Sequence, residues 1–157
     1  MNTDKRDEFL TLGTFHLDNL EFGVDILQQR EVLRMMPVTK MPCSVGFIEG
    51  VINLRGEIIP IINLRARFGM PRKDFDRQTR ILNIEVTGSL VVGFIVDCVG
   101  HVRRMPITLI EPPPAVIASV DSDYVSGVGK VDESLLIILD IPKILSDEDI
   151  ENLGAMA

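Results

Sequence analysis

The sequence predicts an all-β protein with short helices, built as two small β-barrels in one chain. Three observations carry this. Apolar residues come in short runs broken by turn-forming pairs: Asp18-Asn19, Arg55-Gly56, Gly88-Ser89 and Asp132-Glu133. The segment Tyr124–Ile141, YVSGVGKVDESLLIILDI, lies on Phe47–Leu64, FIEGVINLRGEIIPIINL, without a gap at an offset of 124 − 47 = 77. Each copy holds about five short strands, and sheets that small avoid exposed edges by closing into barrels.

The elements follow in order. Residues 1–9 are polar and expected to be a flexible tail. Phe15 and Leu17 alternate with Thr14 and His16; past Asp18-Asn19, Phe22, Val24 and Ile26 alternate with Glu21, Gly23 and Asp25. That is a half-buried hairpin. Gln28–Met35 holds helix formers without Gly or Pro and predicts a short helix with Glu31 on its outer face, ended by Pro37. Pro37–Pro42 is an extended connector. Phe47–Leu54 and Glu57–Ile62 form a hairpin with apolar residues on both faces, and Gly56 supplies the positive φ of its turn. Asn63 caps a short helix whose Leu64 and Phe68 share a face; Gly69 and Pro71 end it. A charged loop, Arg72–Gln78, follows.

Thr79–Val86 and Leu90–Val96 make a hairpin around Gly88-Ser89, and Val99 and Val102 extend the pattern through Gly100. Met105–Pro114 crosses the molecule, stiffened by Pro112-Pro113-Pro114. The hairpin around Asp132-Glu133 comes last. Asp140 is placed to cap a helix through Leu145, and Ser146 with Asp149 reads as a capping box. The repeated units match aromatic to aromatic at Phe47 and Tyr124, Gly50-Val51 to Gly127-Val128, and Asn63 to Asp140. They differ most at the turn, Arg55-Gly56 against Asp132-Glu133, so function is sought there.

A length of 157 residues with 46% hydrophobic and 25% charged residues describes an ordinary globular chain. The net charge of −7 argues against nucleic acid and against an anionic membrane surface. The N-terminal residues hold no secretory signal, and no apolar run approaches the roughly 20 residues that span a bilayer. Cys43 and Cys98 read as reduced, buried thiols, which places the chain in the cytoplasm.

No catalytic constellation is found. His16 alternates with core residues and is expected to face solvent; His101 lies between Gly100 and Val102, and neither neighbours a nucleophile motif. Two separate Cys and two separate His have no metal-ligand spacing. Asp147-Glu148-Asp149 suits a helix N-terminus, and Asp121–Asp123 a solvated turn. No cofactor or metal is expected, and the reading is a non-enzyme.

FGVDILQQREVLR (22–34), GFIEGVINLRGEIIPIINLRARFG (46–69), VVGFIVDCVGHVRRM (91–105) and YVSGVGKVDESLLIILDIPKIL (124–145) resemble the CheW family of bacterial chemotaxis coupling proteins. The resemblance implies two SH3-like five-stranded barrels in a single domain over 10–150. One subdomain would span roughly 15–85 with part of the C-terminal region and the other 86–145, with 151–157 a second flexible tail. It implies a non-enzymatic cytoplasmic scaffold, recruited to membrane receptor arrays. Its partners would be the cytoplasmic tip of methyl-accepting chemoreceptors and the regulatory domain of a CheA-type histidine kinase. The binding residues it implies are Gln29, Glu31, Gly50, Arg55, Gly56, Gly93, Val99 and Val102. At Gln29 family members often carry an apolar residue such as Val, so the contact here would be more polar.

The expected binding surface is a groove between the barrels, lined by Ile, Val and Leu and rimmed by Glu31 and Arg55. Taken as ordinary surface residues, Arg55 steadies a hairpin and Glu31 pairs with Arg34. Two other functions fit the residues. One is a related coupler in a sensory pathway for surface motility or gene regulation. The other is a small ligand-binding or enzymatic barrel.

Overall fold

A computed structural model describes residues 8–42, 46–117 and 120–157. Among the described residues, fourteen strands and three α-helices follow one another. They are β1 (Phe9–Leu17), β2 (Leu20–Asp25), β3 (Gln29–Arg34), β4 (Ile48–Leu54) and β5 (Glu57–Asn63), then α1 (Leu64–Arg67). Next are β6 (Arg80–Thr87), β7 (Leu90–Val96), β8 (Cys98–Val99), β9 (Arg103–Pro106), β10 (Ile110–Glu111), β11 (Val116–Ile117) and β12 (Val120–Asp121). The chain ends with β13 (Val125–Val131), β14 (Ser134–Leu139), α2 (Ile141–Ile144) and α3 (Asp147–Met156).

Five strands form one sheet in the order β3-β6-β7-β5-β4. Seven form the other, β10-β13-β14-β2-β1-β8, with β9 also on β1; β11 and β12 pair with each other. The two main sheets are copies. In the first, β5 and β7 run parallel with Ile61 opposite Gly93; in the second, β14 and β2 run parallel with Ile138 opposite Gly23. The offsets are 138 − 61 = 77, the offset at which the sequence repeats, and 93 − 23 = 70. Both sheets close in the same way. The chain leaving β3 bonds to β4, with Thr39 and Val51 exchanging two backbone hydrogen bonds of 2.8 and 2.9 Å. The chain leaving β9, on β1, turns into β10, on β13.

The N-terminal hairpin completes the second sheet, whose other strands all follow residue 97. The expected division at residues 85 and 86 therefore does not follow the sheets. β6 and β7 stay with the first unit, and β1 and β2 cross to the second. The expected C-terminal tail is also corrected. Residues 151–156 are the later turns of α3, held by the buried Leu153. At the other end β1 begins at Phe9, opposite Pro106.

The predicted helix at Gln28–Met35 is the strand β3, paired antiparallel with β6. Burial alternates strictly along it: Gln29, Glu31 and Leu33 are half-buried and Arg30, Val32 and Arg34 exposed. Two polar residues on the inner face hide that period from a hydrophobic pattern. The local helix preference of Gln, Arg and Glu is a few tenths of a kcal/mol per residue, less than a ladder partner supplies along a whole strand.

The main apolar core lies between the sheets, not inside either barrel. Phe15, Phe22 and Ile137 of one sheet pack in one cluster with Leu82, Phe94 and Ile62 of the other. Each barrel interior is a smaller cluster, Ile52, Ile59, Ile61, Ile81 and Ile95 in the first and Leu12, Met105, Leu136 and Ile138 in the second. Cys98 is a free, half-buried thiol, less enclosed than expected. Burial, and after it the charge of Asp97, pushes that thiol up from its ordinary value. Cys43 lies outside the described residues. His16 is half-buried rather than solvent-facing, and its buried Nδ1 has no partner among the described residues.

Candidate interaction site

The site is built from the β4–β5 turn upward. A two-residue hairpin turn of type I′ needs positive φ at both central positions. Here φ is +53° at Arg55 and +84° at Gly56. The Gly56 amide donates to Asn53 Oδ1 at 2.9 Å. Only Gly56 was expected in this region; the structure puts Arg55 there too. Asn, Asp or Gly is the usual occupant, since a longer side chain in left-handed backbone costs about 1–2 kcal/mol. The matching turn in the other copy has Asp132 at +55°, one of the favoured types.

Strand β3 brings Glu31 beside this turn. Arg55 Nη2 donates to Glu31 Oε1 at 2.6 Å, with the arginine side chain 69% exposed and the glutamate 36% exposed. Glu31 thus pairs with Arg55, not with Arg34. Next to it Arg30 Nη2 donates to Glu85 Oε2 at 2.7 Å across β3 and β6. Glu31, Arg30 and Glu85 border a groove of about 370 Å³ that also touches Glu57, Asn83 and Leu54. It is a polar groove on the first unit, whereas an apolar one between the units was expected.

The other expected residues divide by what they touch. Gly50 has φ +145° and lies under the Thr39 backbone, so close that a Cβ would overlap the Thr39 oxygen. Gly93 faces Ile61 Cδ1 and Ile81 Cγ2, which would meet a Cβ at 2.5 and 2.7 Å. Both glycines are required by packing within the first unit. Gln29 lays its side-chain amide over Gly13 of β1, filling the space that a side chain there would take. Val99 (37% exposed) and Val102 (61%) lie in and just past β8, on the edge of the second sheet. Glu31 and Arg55 form one site with Gly56. Gly50 and Gly93 support its sheet, and the two valines belong to the other unit.

A second constellation was not predicted. Arg65 of α1 is 6% exposed. Its Nε donates to Asp97 Oδ1 at 2.8 Å, its Nη2 to Asp97 Oδ2 at 2.6 Å and to Asp18 Oδ1, and its Nη1 to Pro71 O at 2.9 Å. The Asp18 amide donates to Asp97 Oδ2 at 2.8 Å. The hydrogen bond to Asp97 and, after it, the bond to Asp18 hold Arg65 above its ordinary range against the opposing effect of burial. Burial pushes the Asp97 carboxyl up, but the bonds from Arg65 and the Asp18 amide outweigh it, so it titrates below the usual range. Nothing in the sequence around Arg65 and Arg67 signals that their partners are residues 18, 97 and 144.

Two barrel-like sheets in one chain, with a paired, solvent-facing charge at one hairpin tip, are the fold and surface of an all-β scaffold type. Family-level comparison agrees. Residues 11–149 match the model of the CheW-like domain, and the chain belongs to the CheW family. It is 38% identical over 135 residues to the chemotaxis protein CheW of Klebsiella aerogenes, covering 86% of this chain and 81% of that one. It is 34% identical over 154 residues to the chemotaxis protein CheW of Treponema pallidum, covering 94% and 89%. Among solved structures it is similar to the scaffolding protein TtCheW from Thermoanaerobacter tengcongensis, with a TM-score of 0.81 and 36% identity over 88% of this chain and 94% of that one. Among the described residues no helix is long and apolar enough to cross a membrane.

Proposed function

We propose that this chain is a non-catalytic cytoplasmic adaptor that couples the cytoplasmic tips of chemoreceptors to a CheA-type histidine kinase by protein–protein binding. It works without a cofactor, does not bind nucleic acid or insert in the bilayer, and joins the membrane by recruitment to receptor arrays. Membership of a family of chemotaxis scaffolds supports this. The observation that carries the choice of site is Arg55. It is a long cation on left-handed backbone, two-thirds exposed, and held by one ion pair. A turn selected for stability alone would carry Asn or Asp there. A conformational cost kept at an exposed charge points to binding.

In this reading the Arg55 guanidinium and the Glu31 carboxylate present a fixed donor–acceptor pair to the partner surface. Arg is favoured in such roles because its planar fork bonds in defined directions. Gly56 completes the turn, Gly50 and Gly93 shape the sheet behind it, Gln29 packs that sheet against Gly13 of β1, and Val99 and Val102 offer a separate apolar contact on the second unit. The test mixes purified protein with a receptor-tip fragment and a kinase containing its regulatory domain, and reads co-sedimentation. Wild type enters the pellet with both partners, and Arg55→Glu lowers the yield at least tenfold. Wild type that binds neither partner overturns the proposal.

A further inference from the structure

The apolar core between the sheets is built from contacts that are individually non-directional. The two sheets are also near copies, so their packing carries little information about one unique angle. Directional contacts must supply it. Both arginines of α1 make such contacts.

Arg65 reaches from the first unit to Asp18 in the β1–β2 turn of the second, while holding Asp97 at the end of β7. Asp97 is bonded to the same turn, accepting from the Asp18 amide at 2.8 Å, and its own amide donates to His16 O at 3.1 Å. Arg67 makes the second bridge. Its Nε donates to Ile144 O of α2 at 2.6 Å. Its guanidinium lies 5.0 Å from the Phe47 ring and 4.8 Å from the Tyr124 ring. Phe47 and Tyr124 are matched residues of the two copies, and so are Arg67 and Ile144, since 144 − 67 = 77. Arg67 therefore sits where the two units face each other across their relation of symmetry. The Arg65 bridge has no counterpart, because position 65 + 77 = 142 is a proline.

We propose that the α1 arginines are an orienting clasp. Arg65 with Asp18 and Asp97, and Arg67 between Phe47 and Tyr124, set the angle between two sheets that the shared core holds together but does not orient. Buried charged groups are known to serve such specificity in some proteins while adding little net stability. A one-sided bridge near a symmetry relation is the contact that selects one arrangement among similar ones.

The experiment uses the full chain. Asp18→Asn removes the charge of the inter-unit bridge at a position with φ +54°, which Asn accommodates. Arg67→Met removes the other bridge and keeps much of the apolar stem. Backbone residual dipolar couplings are measured for wild type, each single variant and the double variant. In wild type one alignment frame fits both sheets. In the double variant each sheet still fits its own coordinates, but the two frames differ by more than 10°, or their magnitudes by more than a fifth. The Asp18→Asn variant alone shows a smaller change in the same direction. If the double variant folds and one frame fits both sheets in the wild-type orientation, the proposal is wrong. If the double variant fails to fold, Asp18→Asn decides: an unchanged common frame overturns the clasp, and a displaced one supports it.

Discussion

Arg55 is held in place by two opposing local effects. Its left-handed backbone is unfavourable for a long side chain, and its exposed ion pair with Glu31 returns only about 0–1 kcal/mol. Arg55→Gly should leave stability unchanged or raise it by about 1 kcal/mol in urea titration, while receptor–kinase assembly falls. A loss of stability above ~1 kcal/mol would mean that Arg55 is kept for the fold. Gly50 stands at the other extreme. Its φ of +145° and its closeness to the Thr39 backbone leave no room for Cβ. Gly50→Ala should cost about 3 kcal/mol or more, seen as a large drop in the urea midpoint at constant m-value. Asp97 is the mostly buried carboxylate that pairs with Arg65. Removing one partner of a buried pair costs about 3–5 kcal/mol, and Asp97→Asn should approach that at pH 7. The Asp97 carboxyl titrates below its unfolded value. Its stabilisation is therefore fully present above about pH 4 and lost as the pH falls through the lower folded value. The stability gap between wild type and Asp97→Asn should narrow on acidification below about pH 4 and stay constant from pH 5 to 8. A constant gap down to pH 2 would contradict the pairing.

Elements with self-contained signals were legible in the sequence. The turn pairs bound the hairpins β1–β2, β4–β5, β6–β7 and β13–β14 as expected. Asn63 caps α1 by accepting from the Ala66 amide at 3.2 Å. The capping box of Ser146 and Asp149 is formed in both directions, at 3.0 and 3.1 Å. Ser146→Ala should lower stability by about 1 kcal/mol in thermal unfolding, because α3 carries the buried Leu153 into the main core. Asp140 stands at the cap position of α2, but its side chain makes no cap bond. β3 was not legible. Its inner face carries Gln29 and Glu31, and its strand state depends on β6, whose pairing residues begin near position 80. With β3 misread, Glu31 moved to the wrong element and its partner Arg55, 24 residues on, stayed hidden.

At the scale of the whole molecule, the larger core lies between the units and the smaller ones inside them. Each unit encloses only a small apolar cluster of its own, and the second is missing two strands until the N-terminal hairpin joins. The chain should unfold in one cooperative transition, with calorimetric and van't Hoff enthalpies equal. Two resolved transitions would show that each barrel is an independent unit.

The sequence by itself determined the all-β class, the repeat at an offset of 77, the hairpins and most caps, and the family with its scaffold role. Each of these rests on local chemistry or on matching one segment to another. Only the tertiary structure decided that β1 and β2 complete the second unit and that β3 is a strand. It alone decided that Glu31 is locked to Arg55, and that Arg65 is buried against Asp18 and Asp97. These depend on pairings across tens of residues, and the physical reason is the same for each. A polar side chain looks alike in sequence whether water or a distant carboxylate satisfies it, and only the fold brings that partner within hydrogen-bond reach.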